Sequence, residues 1–175
     1  HVLSRTILLT GAAKALNKEK NLEPILDGLD DSLNSAMDSI RSSVHDLHDE
    51  AVNLQENIKG IIRDFKYCEV ELKYDMSNKV TSNVKYCLIG IVKEALSNVM
   101  KYSGATYVKI TVREHPALYQ LCVEDNGHGC ADNMNKTTGI GLKNMQERVS
   151  ALNGTLRIES EKGFRIFVVI PKEMQ

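Results

Sequence analysis

Asp125-Asn126-Gly127-His128-Gly129, followed ten residues on by Gly139-Ile140-Gly141-Leu142-Lys143-Asn144-Met145, is the stretch on which the reading of this chain turns. The aspartate closes an alternating apolar run (Tyr119, Leu121, Val123), and the glycines behind it let the backbone turn sharply and approach a ligand closely. A carboxylate in that place can accept the exocyclic amine of adenine. The second cluster opens a helical pattern, so the amides around Gly139, Gly141 and Leu142 lie at a helix N-terminus, where free N–H groups and the helix dipole favour phosphate. Upstream, Glu94-Ala95-Leu96-Ser97-Asn98-Val99-Met100-Lys101 sets Glu94, Asn98 and Lys101 at i, i+4 and i+7, along one stripe of a helix. Lys101 can put a point charge on phosphates, and the Asn98 amide oxygen is a hard ligand suited to Mg2+. Glu94, one turn earlier, can orient a metal-bound water or polarise an incoming nucleophile. Taken singly, each motif has a plainer meaning: a tight turn, a packed helix start, a solvated helix face. Their occurrence together, in this order, is what points to a nucleotide site closed by a short lid.

The bulk numbers narrow the class. With 175 residues, 42% of them hydrophobic, the chain has ample material for a globular core. A net charge of -1 lacks the basic excess of a nucleic-acid or anionic-membrane surface, so neither direct nucleic-acid binding nor membrane contact is expected of this segment. Its longest apolar run, residues 87–92, is far short of the roughly 20 residues that span a bilayer. The four cysteines (Cys68, Cys87, Cys122, Cys130) show no CxxC or His-paired spacing, which predicts reduced thiols without zinc or disulfide. Cys130 and His128 flank the lid and are read as incidental. The start at His1, inside a helical pattern, suggests a piece of a longer protein.

Two kinds of periodicity divide the chain. From Leu26 the apolar positions run Leu26, Leu29, Leu33, Met37, Ile40, Val44, Leu47, Ala51, Leu54, Ile58, in steps of three and four that describe a coiled-coil seam. A helix of about 33 residues would run nearly 50 Å and must pack on other long helices. Residues 2–16 supply one (Leu3, Ile7, Leu8, Ala12, Ala15), giving an antiparallel hairpin that buries its seams best as a four-helix bundle of two chains. After Lys59-Gly60 the pattern changes: 65–74 reads as a strand, 79–102 as a helix ended by Gly104, and 106–113 as a strand alternating Val108, Ile110, Val112. A hairpin through Glu114-His115-Pro116-Ala117 leads to the next strand, 139–152 is a helix ended near Gly154, and Leu156, Ile158 and then Phe164, Ile166, Val168, Ile170 form two closing strands. The expected fold class is therefore α+β: a helical hairpin over residues 1–60, then an α/β sandwich with a mixed sheet over 61–175.

Residues 61–171 resemble the GHKL-type (Bergerat-fold) ATPase domain of sensor histidine kinases. The three blocks above stand in the order and at the separations of its N, G1 and G2 boxes, and only residues 130–138 separate the last two. The run Gly141-Leu142-Lys143-Asn144-Met145-Gln146-Glu147-Arg148-Val149 and the ending Val169-Ile170-Pro171 narrow the likeness to kinases whose response regulators carry a helix-turn-helix output domain. Tyr102 and Phe164-Arg165 stand where that class usually has histidine and Gly-Thr. The resemblance implies the cytoplasmic catalytic region of a membrane-anchored, two-component sensor kinase, a homodimer through its hairpin. It binds ATP and Mg2+ and passes the γ-phosphoryl group to a histidine and then to an aspartate of the regulator. It carries over ATP-binding roles for Asn98, Lys101, Asp125, Gly127, Gly129, Thr138, Gly139, Gly141 and Leu142, the metal to Asn98, and catalytic roles to Glu94, Asn98 and Lys101. A GHKL ATPase with Glu94 activating water and a non-catalytic ATP-binding dimerisation module are the rival readings. For the phosphoacceptor, Asp46-Leu47-His48-Asp49-Glu50 imitates the family's box, but His48 lies in the second hairpin helix, only 50 residues before Asn98. His1-Val2-Leu3-Ser4 looks instead like the tail of that box, which puts the expected acceptor five residues upstream of His1, with His48 the alternative.

Overall fold

The computed structural model describes residues 53–77, 79–128, 140–160 and 163–172, together with Thr6, Leu9, Thr10, Gly11, Ala13, Leu22, Leu26, Leu29, Leu33 and Ala36. Backbone proximity divides the chain into two units, 1–48 and 49–175. In the first, the described positions are helical apart from Leu22, which lies in a turn. The expected seam is represented there by the helical Leu26, Leu29 and Leu33; Met37, Ile40, Val44, Leu47 and Ala51 lie outside the described residues.

The second unit is built in the order α1 (Leu54–Asp64), β1 (Glu69–Asp75), α2 (Ser82–Asn98), a π-helical turn (Val99–Ser103), β2 (Tyr107–Glu114), β3 (Leu118–Asp125), α3 (Ile140–Ser150), β4 (Thr155–Glu159) and β5 (Arg165–Pro171). Asn53 caps α1, its side chain accepting from the Glu56 amide at 3.1 Å. The helix runs through Gly60 to Asp64, past the change of pattern expected at Lys59-Gly60, because Leu54, Ile58, Ile61, Ile62 and Phe65 continue one apolar face. Leu54 and Ile58, the last two positions of the expected seam, are buried in this unit's own core, where α1 packs on α2 and β1.

The sheet order is β1-β2-β3-β5-β4, with β1 and β2 parallel and every other pair antiparallel, the mixed sheet anticipated from the strand pattern. Strict alternation drives Val108, Ile110 and Val112, then Tyr119, Leu121 and Val123, then Ile166, Val168 and Ile170 into the core beneath the helices. The opposite face carries one row of alternating charge across all five strands, Glu71, Lys109, Glu124, Arg165 and Glu159, paired in register. Arg165 Nε and Nη2 converge on Glu124 Oε2 at 3.1 and 2.8 Å, and Lys109 reaches Glu124 at 3.2 Å. Each exposed pair contributes about 0.2–1 kcal/mol, and together they hold the strand ends in register.

At the other end of the sheet, Glu114 ties three segments together. Its carboxylate accepts from Lys172 Nζ at 2.6 Å and from the Ser77 amide at 2.7 Å, and Lys172 also lies 5.1 Å above the Tyr119 ring. The Lys172 and Ser77 hydrogen bonds hold the Glu114 carboxyl down at about 2, against an ordinary 4.5. A carboxyl depressed in the fold stabilises it fully above its unfolded value, and that contribution fades as pH falls from 4.5 toward 2. Glu114→Gln should therefore cost about 1–2 kcal/mol at pH 7, allowing for screening of a partly exposed pair. Urea unfolding at several pH values checks this: the gap between variant and parent should close at pH 2–3, and a gap independent of pH would contradict it.

Candidate nucleotide site

Helix α2 is apolar nearly all round, because it is enclosed by the sheet, α1 and α3: Val84, Leu88, Ile91, Val92, Ala95 and Leu96 are all buried. Its α-helical turns stop at Asn98, and the chain then widens into the π-helical turn before Gly104 ends it in the left-handed conformation at φ +61°. Gly104 was the expected stop, whereas the π turn was not expected. A wider turn advances less per residue than the 100° of an α-helix, so Lys101 is rotated off the stripe that Glu94 and Asn98 share. Asn98 is half-buried and Lys101 exposed. Ser103 closes the turn, its hydroxyl donating to the Val99 carbonyl at 2.9 Å and accepting from the Ala105 amide at 3.1 Å.

Ser103 is also where the blocks meet. Its carbonyl accepts the His128 amide at 3.0 Å, and a Cβ on Gly127 would fall 2.2 Å from that same oxygen, so only glycine lets the Asp125 turn seat against the end of α2. Asp125, 8% exposed, ends β3; its Oδ1 accepts from the Gly127 amide at 2.7 Å, which fixes the rotation of the carboxylate. Asn126 locks the turn from the other side. Its Oδ1 accepts from the Thr106 and Tyr107 amides, both at 3.0 Å, while its Nδ2 donates to Thr106 Oγ1 at 3.0 Å. In the bend just before β5, Gly163 at φ +84° lies so close to the Asp125 carbonyl that a Cβ would come within 2.1 Å of it.

The second glycine cluster meets the first block. A Cβ on Gly141 would lie 2.0 Å from Glu94 Oε1, so the start of α3 rests directly on the Glu94 carboxylate; Leu142 beside it is half-buried. Two turns along α3, Met145 and Val149 enter the core and the Arg148 guanidinium lies over Gly90 of α2. Glu94, Asn98, Lys101, Asp125, Gly127, Gly141 and Leu142 thus stand on elements gathered around the C-terminal end of α2. Gly129, Thr138, Gly139, Cys130 and His48 lie outside the described residues.

Thiol chemistry is disfavoured at Cys68 and Cys87. Burial pushes the Cys87 thiol up to about 12, and burial followed by the nearby Asp125 charge raises that of Cys68. Neither is a ready nucleophile. The sequence reading missed Asn126, Ser103 and Gly163 as builders of the site. The first clamps the Thr106 and Tyr107 amides about twenty residues away, and the other two act through backbone contacts across the fold; no local pattern shows either.

Residues 86–174 match the family described as Histidine kinase-, DNA gyrase B-, and HSP90-like ATPase. The chain is 24% identical over 188 residues to the signal transduction histidine-protein kinase/phosphatase DegS of Brevibacillus brevis, covering 97% of this chain and 47% of DegS. It is 32% identical over 102 residues to the nitrate/nitrite sensor protein NarX of Escherichia coli, covering 58% of this chain and 17% of NarX. The chain thus spans less than half the length of either relative. Its fold is similar to that of the histidine kinase AdeS of Acinetobacter baumannii, with TM-score 0.61 at 19% identity over 97% of each chain. The histidine kinase domain of the blue-light activated kinase of Erythrobacter litoralis EL346 superposes with TM-score 0.62 at 14% identity, over 98% of this chain and 86% of that one.

Proposed function

We propose that this chain, which belongs to the histidine kinase-, DNA gyrase B- and HSP90-like ATPase family, is the ATP-binding region and part of the dimerisation hairpin of a two-component sensor histidine kinase. The observation that carries the reading is the meeting of its three blocks: Gly141 on Glu94, Gly127 and His128 on Ser103, and the Asp125 carboxylate fixed at the junction. Asp125 accepts the adenine amine, Lys101 meets the phosphates together with the amides at the start of α3, and Gly129, Thr138 and Gly139 are further ATP-binding residues. Asn98, half-buried at the end of α2, offers the hard amide oxygen that Mg2+ takes. A magnesium ion held there would neutralise charge on the phosphates. The chain's own contribution is positioning and electrostatics, as is general for phosphoryl transfer. An acceptor imidazole nitrogen bonds to the γ-phosphorus as the bond to ADP breaks, its proton passing to the acidic neighbour in the family's box.

Residues 1–60 act in this reading as the hairpin through which two copies pair, although Leu54 and Ile58 are buried in the core of the second unit. Leu9, Leu22 and Leu29, each about half exposed or more in a single chain, support an apolar partner surface in the first unit. The partner downstream is a response regulator with a helix-turn-helix output domain. No helix among the described residues is long and apolar enough to cross a membrane. In this reading the region belongs to the cytoplasmic side of a membrane-anchored sensor.

Radiolabelled ATP tests the reading. The present chain should bind ATP and take up no label, whereas a chain extended through the box upstream should acquire acid-labile, base-stable label and pass it to a regulator. Free phosphate alone would make the protein a hydrolase, and binding without either product in the extended chain would make it a non-catalytic module. Label on the present chain that disappears in His48→Gln would place the acceptor at His48.

A further inference from the structure

Phe164 stands directly across the sheet from Asp125. Glu124 pairs with Arg165 in the antiparallel register of β3 and β5, so the next pair along is Asp125 with Phe164, and the Asp125 amide donates to the Phe164 carbonyl at 3.0 Å. Side chains alternate along both strands, and the pair before, Val123 with Ile166, is buried in the core. Asp125 and Phe164 therefore project to that same helix-covered face, with Cβ atoms about 4.5–5.5 Å apart, as cross-strand neighbours are. On the other flank, β2 sets the fully buried Val108 opposite Asp125. The carboxylate is thus walled on both sides by apolar side chains, with Phe164 half-buried against the core. The Glu124–Arg165 pair on the far face and the tight Gly163 turn keep Phe164 from drifting out of this place.

We propose that Phe164 is a specificity-determining residue for the purine base: its ring keeps water from the Asp125 carboxylate, so that a base without a 6-amino donor leaves the carboxylate oxygen that does not accept from the Gly127 amide buried without a donor. The inference rests on the reading of Asp125 as the adenine acceptor. Its physical ground is an asymmetry. A hydrogen bond made in dry surroundings gains little over one made in water, but a buried acceptor left without its donor bears the full cost of its lost solvation. Sites built to hydrogen-bond a substrate group reject the analogue lacking it far more strongly than apolar pockets discriminate by size. Admitting a water, or a hydroxyl, beside Asp125 would satisfy the carboxylate when the wrong base is bound and relax the discrimination.

Calorimetric titration of the chain with ATP and with inosine triphosphate, whose base carries a 6-keto oxygen, tests this on the parent, Phe164→Thr and Phe164→Leu. The parent should prefer ATP by about a hundredfold or more. In Phe164→Thr the preference should fall by about tenfold, mainly because inosine triphosphate binds more tightly. In Phe164→Leu, still apolar, the preference should stay within about threefold of the parent's. A merely structural role for the ring would weaken both nucleotides alike and leave the ratio unchanged. If the threonine variant does not fold, Phe164→Tyr keeps the ring, adds a hydroxyl beside the carboxylate and should lower the ratio likewise. An unchanged ratio in the folded threonine or tyrosine variant, or equal relaxation in the leucine one, would overturn the role of Phe164. A parent that binds both nucleotides equally, or an Asp125→Asn chain that keeps the preference, would overturn the reading of Asp125 itself.

Discussion

Gly163→Ala is expected to lower the unfolding free energy by about 3 kcal/mol or more, the largest loss anticipated from a single added methyl group in the second unit. Two effects add. At φ +84° any side chain is strained, which costs about 1–3 kcal/mol. The new Cβ would also fall 2.1 Å from the Asp125 carbonyl oxygen and 3.1 Å from its carbon. Neither atom can withdraw cheaply, because the Asp125 amide is bonded to the Phe164 carbonyl one residue further along, and the turn beyond it is held by Gly127 and Asn126. Urea unfolding measures the loss, and a variant within about 1 kcal/mol of the parent would show that the bend at Gly163 does not approach Asp125 as closely as described.

Asp125→Asn should weaken ATP binding by about ten- to a hundredfold while leaving the fold nearly as stable as before. The substitution keeps size and shape. Its remaining oxygen can still accept the Gly127 amide, as Oδ1 does at 2.7 Å, so the turn is preserved. The other atom becomes an amine that faces the adenine amine, setting donor against donor in a buried place. Calorimetry reads the effect, and equal affinity in variant and parent would remove Asp125 from the base pocket.

The sheet was legible in the sequence because its signal is local. The alternations at Val108, Ile110, Val112 and at Ile166, Val168, Ile170 say which face is buried without reference to any partner, and turn residues such as Glu114-His115-Pro116-Ala117 bound the strands. Likewise Gly104 announced the end of the π-helical turn that continues α2. What the sequence concealed depended on tertiary choice. Leu54 and Ile58 suit a coiled-coil seam and a domain core equally well, and packing on α2 and β1 decided between them. The π turn after Asn98 has no periodic signature, so Glu94, Asn98 and Lys101 read as one straight stripe when Lys101 is in fact rotated from it. Of the site, Glu94, Asp125, Gly127 and Gly141 could be named in advance because each has a distinctive chemistry or backbone freedom. Ser103, Asn126 and Phe164 could not, since a backbone carbonyl, a turn clamp and a cross-strand neighbour acquire their roles only from what the fold places beside them.

Amide resonances followed by NMR as ATP is added in the presence of Mg2+ test the nucleotide site most directly, since they report both binding and its place. Saturable shifts should gather at Glu94 to Ser103, at Asp125 to His128, at the start of α3 and at Gly163-Phe164. The charged outer row of Lys109, Glu124 and Glu159 and the Glu114–Lys172 end of the sheet should stay nearly still. Absence of shifts at millimolar ATP, or shifts centred on the Glu114 end with Asp125 unmoved, would contradict the assignment.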